Sequence, residues 1–168
     1  LNSPFEQDLE DYVAASCHSV EVWLGKLDVY LKDHSIEDVL RLKEQHQIVL
    51  PVASMQGGIL VSQGQKREEA WRLFEQRLAT CQQLQIQTLV IACDAQPPIE
   101  NSDLERIQTS IKLASDAAAR YDVRLALEFQ ARSAFGNNLQ TAVALVEQTN
   151  RPNIGICLDT FHFHTGPS

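Results

Sequence analysis

Two hydrophobic rhythms alternate along this chain. Short runs with apolar or β-branched side chains at every second position alternate with longer segments whose apolar residues recur three or four positions apart. The first long segment, "SPFEQDLEDYVAAS" (3–16), places Phe5, Leu9, Tyr12 and Val13 on one helical face. Ser3 is placed to cap it, with Pro4 in the first turn and Glu6 completing a capping box. "SVEVWLG" (19–25) predicts a strand. "HSIEDVLRLKEQHQ" (34–47) predicts a helix capped by Ser35. "IVLPVASMQ" (48–56) predicts a strand interrupted by Pro51. Helices follow over 66–85, 102–121 and 138–149, the second with a capping box from Ser102 and Glu105. Strands follow over 88–94, 123–129 and 153–159. The Gly-bearing connection "QGGILVSQGQ" (56–65) is a candidate lid or an ordinary surface excursion.

Strands separated by single helices predict right-handed crossovers and a parallel sheet. Alternation within the strands then divides two faces. Leu125, Leu127 and Phe129 oppose Arg124, Ala126 and Glu128. Ile154, Ile156 and Leu158 oppose Gly155, Cys157 and Asp159. Leu89, Ile91 and Cys93 oppose Val90, Ala92 and Asp94. The bulkier face is expected to pack on helices. The smaller face ends in a carboxylate at each carboxyl-terminal strand end, where α/β folds build their sites. A doubly wound sheet with a nucleotide site should carry GxGxxG or GxxxxGK[ST], and neither is present. The expected architecture is a single (β/α)₈ TIM barrel over 1–168. Five strands are visible, so it is expected to be incomplete and to lack the first and last strands.

Composition narrows the function. The net charge is −8, from 22 acidic and 14 basic residues. That disfavours a nonspecific grip on nucleic acid or on an anionic membrane. No apolar run nears the roughly 20 residues of a membrane span, and no signal-peptide pattern opens the chain. The four cysteines, Cys17, Cys81, Cys93 and Cys157, are scattered without CxxC, as expected for a cytoplasmic protein.

Glu128 and Asp159 are expected on adjacent strands, facing inward at the same end. Two close carboxylates both stay ionised when a cation lies between them. A divalent metal is one such partner, and a bridge from Arg132 is another. His162, in D-x-x-H after Asp159, is a candidate ligand or substrate-holding residue, and His164 is a secondary candidate. Glu21 and Trp23 share the inward face of their strand, with Trp23 a candidate wall for a polyol ring. Gln56 and Asp94 end their strands and are candidate pocket residues. His18, His34 and His46 are expected on the surface or in packing. No nucleophile-elbow pattern supports Ser-His-Asp hydrolysis.

The strand-end motifs "LALEF" (125–129) and "NIGICLDTFHFH" (153–164) resemble those of the xylose-isomerase-like TIM barrels. Within that superfamily the sequence is most similar to the 2-keto-myo-inositol (inosose) isomerases, also in "YLKDHSIEDV" (30–39) and "TCQQLQIQTLVIA" (80–92). The resemblance implies one divalent ion, Mn, Zn, Co or Mg, with Glu128 and Asp159 among four ligands. The other two, a His and a Glu, are expected beyond residue 168. It gives His162 a substrate-contacting role, or a second-metal role as in the related endonucleases. Trp23 departs from the more polar residue usual at its position. The implied reaction shifts a carbonyl between adjacent carbons of a keto-inositol or keto-sugar through an enediolate, with Glu128 as acid/base. The alternative is a dehydratase acting on inosose or 3-dehydroshikimate. An apurinic endonuclease and a non-catalytic, sugar-binding or oligomer-forming barrel complete the set.

Overall fold

The computed structural model describes residues 3–167; Leu1, Asn2 and Ser168, the ends of the expected domain, lie outside the described residues. The period-two runs form strands β1 (Ser19–Trp23), β2 (Val49–Gln56), β3 (Thr88–Ala92), β4 (Arg124–Glu128) and β5 (Ile154–Cys157). All neighbours pair in parallel, in the order β1-β2-β3-β4-β5, so β1 and β5 are the edges of an unclosed sheet. The helices are α1 (Phe5–Ala14), α2 (Leu24–Tyr30), α3 (Ile36–Gln45), α4 (Gly64–Leu84), α5 (Asn101–Ala119), α6 (Leu139–Thr149) and α7 (Thr160–Thr165). Among the described residues, no helix is long and apolar enough to cross a membrane.

Strand alternation sorts the two faces. Val20 and Val22 of β1, Leu89 and Ile91 of β3, and Leu125 and Leu127 of β4 are buried with Phe74, Leu78, Ile107, Ile111 and Leu145 of the helices. Glu21 and Trp23 lie on the opposite, exposed face of β1. Leu158 departs from the expected packed face and is 55% exposed, because edge strand β5 ends one residue before it.

Several local expectations change. The run at 19–25 is a strand only to Trp23. Leu24, Leu27 and Tyr30 then bury one face of α2, since a short apolar run satisfies either period. Ser35 caps α3 in a reciprocal box with Asp38. The box at α5 is built by Glu100 and Asp103 rather than Ser102 and Glu105. At α1 the N-cap is Pro4, and Ser3 turns its hydroxyl to Asp8, which also pairs with Lys26.

The Gly57–Gln63 connection is anchored rather than a free lid. Ile59 and Leu60 are buried in the core. Gly58 N–H donates to Asp94 Oδ2 at 2.6 Å. Trp71 Nε1 and Arg67 Nη1 donate to the Ile59 carbonyl, and Ser110 Oγ donates to that of Leu60.

The loop after β4 is closed by Gln130 N–H donating to the Gly136 carbonyl at 3.2 Å. Gly136 has φ +66°, and an added Cβ would lie 2.7 Å from Cys93 Sγ. Gly136→Ala is therefore expected to combine a left-handed strain with a core clash and to lower stability by about 1–3 kcal/mol. Urea denaturation measures it, as a lower midpoint at unchanged slope.

Candidate active site

β4 ends on Glu128, whose partner across the β4–β5 ladder is Cys157. Two residues beyond Cys157, Asp159 is the N-cap of α7. Its Oδ1 accepts from Phe161 N–H at 2.7 Å and His162 N–H at 3.2 Å. The D-T-F-H order has a local cause: the aspartate satisfies two orphan donors of the first turn, and that turn presents the histidine. Ligand atoms of Glu128, Asp159 and His162 all lie within 4.8 Å of one another.

The cluster is electrically uncompensated. Among the described residues no Lys or Arg pairs with Glu128 or Asp159, and Arg132 is exposed rather than bridging them. Burial raises the Glu128 carboxyl above its ordinary range. His162 lowers it in part, while Asp159 and Glu21 raise it further. Burial and the same carboxylates push the Cys157 thiol up to about 11. Two converging carboxylates beside an imidazole, with no fixed cation between them, form a donor set that fits a divalent metal ion. Glu128 and Asp159 would hold it.

His162 has a more specific assignment. Its Nδ1 lies 3.3 Å from Ala131 N–H, which can only donate. Nδ1 is then the acceptor, and a neutral ring carries its proton on Nε2. In that tautomer Nε2 is a hydrogen-bond donor.

The remaining candidates separate. Trp23 is 51% exposed on the inner face, with Lys26 Nζ 5.9 Å from its ring centroid. It lines a cavity of about 160 Å³ with Glu21. Gln56 is 1% exposed and turned away: its Oε1 accepts from Arg77 Nη1 of α4 at 3.0 Å. A bulge between Ala53 and Gln56 sets this side. It reverses the alternation, burying Gln56 and exposing Met55 beside Gln130. Asp94 is engaged with Gly58 N–H, and its other oxygen is buried without a partner. His164 lies outside the cluster, exposed, and lines a cavity of about 300 Å³ with His162 and Asn138. His34 stacks on Tyr30 and His18 bonds the His46 carbonyl, as surface and packing residues do.

The sequence places Cys157 on the smaller face but does not single it out, nor Gln130 and Met55. Strand parity was the available signal for Cys157 and Gln130, which share it with Asp159 and Glu128.

The model of the family described as "Xylose isomerase-like TIM barrel" matches residues 9–167. The chain belongs to the xylose isomerase-like TIM-barrel family. Within it, the chain is 29% identical to the inosose isomerase of Bacillus velezensis over 171 residues, covering 97% of this chain and 60% of that protein. It is also 29% identical to the inosose isomerase of Halalkalibacterium halodurans, covering 97% and 59%. Among solved structures, it superposes on an IOLI protein "with a binding zinc atom" at TM-score 0.88 and 27% identity, covering 99% of this chain and 62% of that one. The chain thus spans about 60% of the length of these curated relatives.

The raised Glu128 pKa has a consequence for this family member in its metal-free form. A carboxyl raised above its unfolded value contributes stability below that value, and this is lost as pH rises through the folded value. Glu128→Gln mimics the protonated group. Metal-free Glu128→Gln protein is therefore expected to melt above wild type at neutral pH. The difference should vanish well below 4.5, the group's ordinary value. Thermal melts across pH in chelator measure this.

Proposed function

We propose that this family member is a metal-dependent isomerase that moves a carbonyl between adjacent carbons of a cyclic keto-polyol, with a keto-inositol as the leading substrate. The observation that carries the reading is the Glu128–Asp159–His162 cluster, within 4.8 Å, at the carboxyl ends of parallel strands and without a paired Lys or Arg. The relatives named inosose isomerase support the substrate class.

A divalent cation, when bound, supplies Lewis acidity to the substrate carbonyl and its neighbouring hydroxyl. The chain's own residues do the rest. Asp159 would help hold the cation, and it caps the first turn of α7. Glu128 takes the C–H proton from the hydroxyl-bearing carbon beside the carbonyl and returns it to the former carbonyl carbon, while the hydroxyl proton passes to the former carbonyl oxygen. One carboxyl group positioned over both carbons is suited to both steps. His162 Nε2–H donates to a substrate oxygen, fixing which carbonyl faces Glu128. Trp23 and Met55 give the C–H face of the ring an apolar wall.

The test is incubation of the intact protein with 2-keto-myo-inositol and Mn²⁺ in D₂O, followed by NMR. The expected product is an isomeric ketone carrying deuterium at the carbon that receives the proton, with every ring hydroxyl retained. An absorbing enone with loss of water would make the protein a dehydratase. Unchanged ketone without exchange would contradict both.

A further inference from the structure

We propose that Gln130 is a positioning residue for Glu128, one that fixes the carboxylate before metal or substrate arrives. The proposal rests on Glu128 acting as metal ligand and acid/base. Gln130 Nε2 donates to Glu128 Oε2 and lies 3.7 Å from Met55 Sδ, so both amide hydrogens have acceptors. An amide beside a carboxylate must present its N–H₂ side, which settles its orientation.

The backbone of Gln130 is held as well. Its N–H donates to the Gly136 carbonyl at 3.2 Å, and its carbonyl accepts from Ser133 N–H at 2.8 Å. Cys157 Sγ stands 3.9 Å from the other oxygen, Oε1. The two oxygens of Glu128 therefore differ. Oε2 is tied to an amide on a closed loop, whereas Oε1 meets only a weak thiol donor. Gln130 thus anchors Oε2 and leaves Oε1 the freer oxygen.

Outer-sphere partners of this kind orient ligands, and their loss typically lowers metal affinity about 10–100-fold. Gln130→Met keeps the length and the contact with Met55 but removes both donors.

Four measurements on the intact protein test this. In metal-free wild type, the Gln130 side-chain amide proton is expected downfield of a free glutamine, moving back in Glu128→Ala. By calorimetry with Mn²⁺, Gln130→Met is expected to bind about 10–100-fold more weakly than wild type, at an unchanged melting temperature in chelator. Its kcat should fall with little change in KM. An amide signal indifferent to Glu128→Ala, or Gln130→Met binding Mn²⁺ as wild type does, would overturn the proposal alone. Wild type that binds neither Mn²⁺ nor Zn²⁺ would overturn the metal reading, and this role with it. Loss of affinity with a matching drop in melting temperature would mark Gln130 as merely structural.

Discussion

Glu128→Gln is expected to lower kcat on a keto-inositol by about 10²–10⁴-fold, the range that a positioned acid/base contributes. The substitution keeps size and shape, so the loss is chemical. An amide cannot accept the carbon-bound proton, and it is a poorer ligand for a hard cation. Deuterium incorporation from D₂O into recovered ketone separates these effects from product release. It should fall in step with kcat, because proton transfer is the step removed. A metal-free melt of the same sample at or above the wild-type temperature excludes misfolding. Turnover within a few-fold of wild type would remove Glu128 from the chemistry. Full exchange without turnover would place its role after proton abstraction.

Asp159 is expected to show two separable roles. Its Oδ1 caps α7 through Phe161 and His162 N–H, leaving Oδ2 for a cation. Asparagine caps a helix about as well as aspartate. Asp159→Asn should therefore keep α7 and His162 in place and lose metal affinity by more than the roughly 10–100-fold of an outer-sphere loss. Asp159→Ala also loses the cap, worth about 1 kcal/mol. A six-residue helix has little stability of its own, so His162 should lose its place against Ala131. The two variants should share a metal defect, while Asp159→Ala alone shows a raised KM at saturating Mn²⁺. Calorimetry and steady-state kinetics check both. Equal KM values would mean that α7 does not depend on its cap.

The site was legible where strand parity holds. Glu128 ends β4 opposite Cys157, and Asp159 lies two residues beyond Cys157 with the same parity. Where local geometry breaks parity, the sequence was silent. The bulge in β2 exchanges Met55 and Gln56 between faces, and nothing in "VASMQ" marks the slip. The strand ends at Cys157 rather than at Asp159, since the aspartate serves α7 better as an N-cap than it serves β5 as a strand residue. That exchange made His162 placeable by helix geometry and not by alternation. The "GGILV" segment looked free because glycines precede it, yet Ile59 and Leu60 carry it into the core. Gln130 was missed because an amide carries no charge signal; its role comes from the loop that closes onto Gly136.

The central claim is that Glu128 and Asp159 form a divalent-metal site. The direct measurement is titration of chelator-treated intact protein with Mn²⁺, reading free ion by electron paramagnetic resonance, for wild type and Glu128→Gln side by side. Wild type is expected to remove one equivalent of Mn²⁺ from solution, and Glu128→Gln to leave it free at the same concentrations. Wild type that leaves Mn²⁺ free, or a variant that takes it up equally well, would contradict the claim.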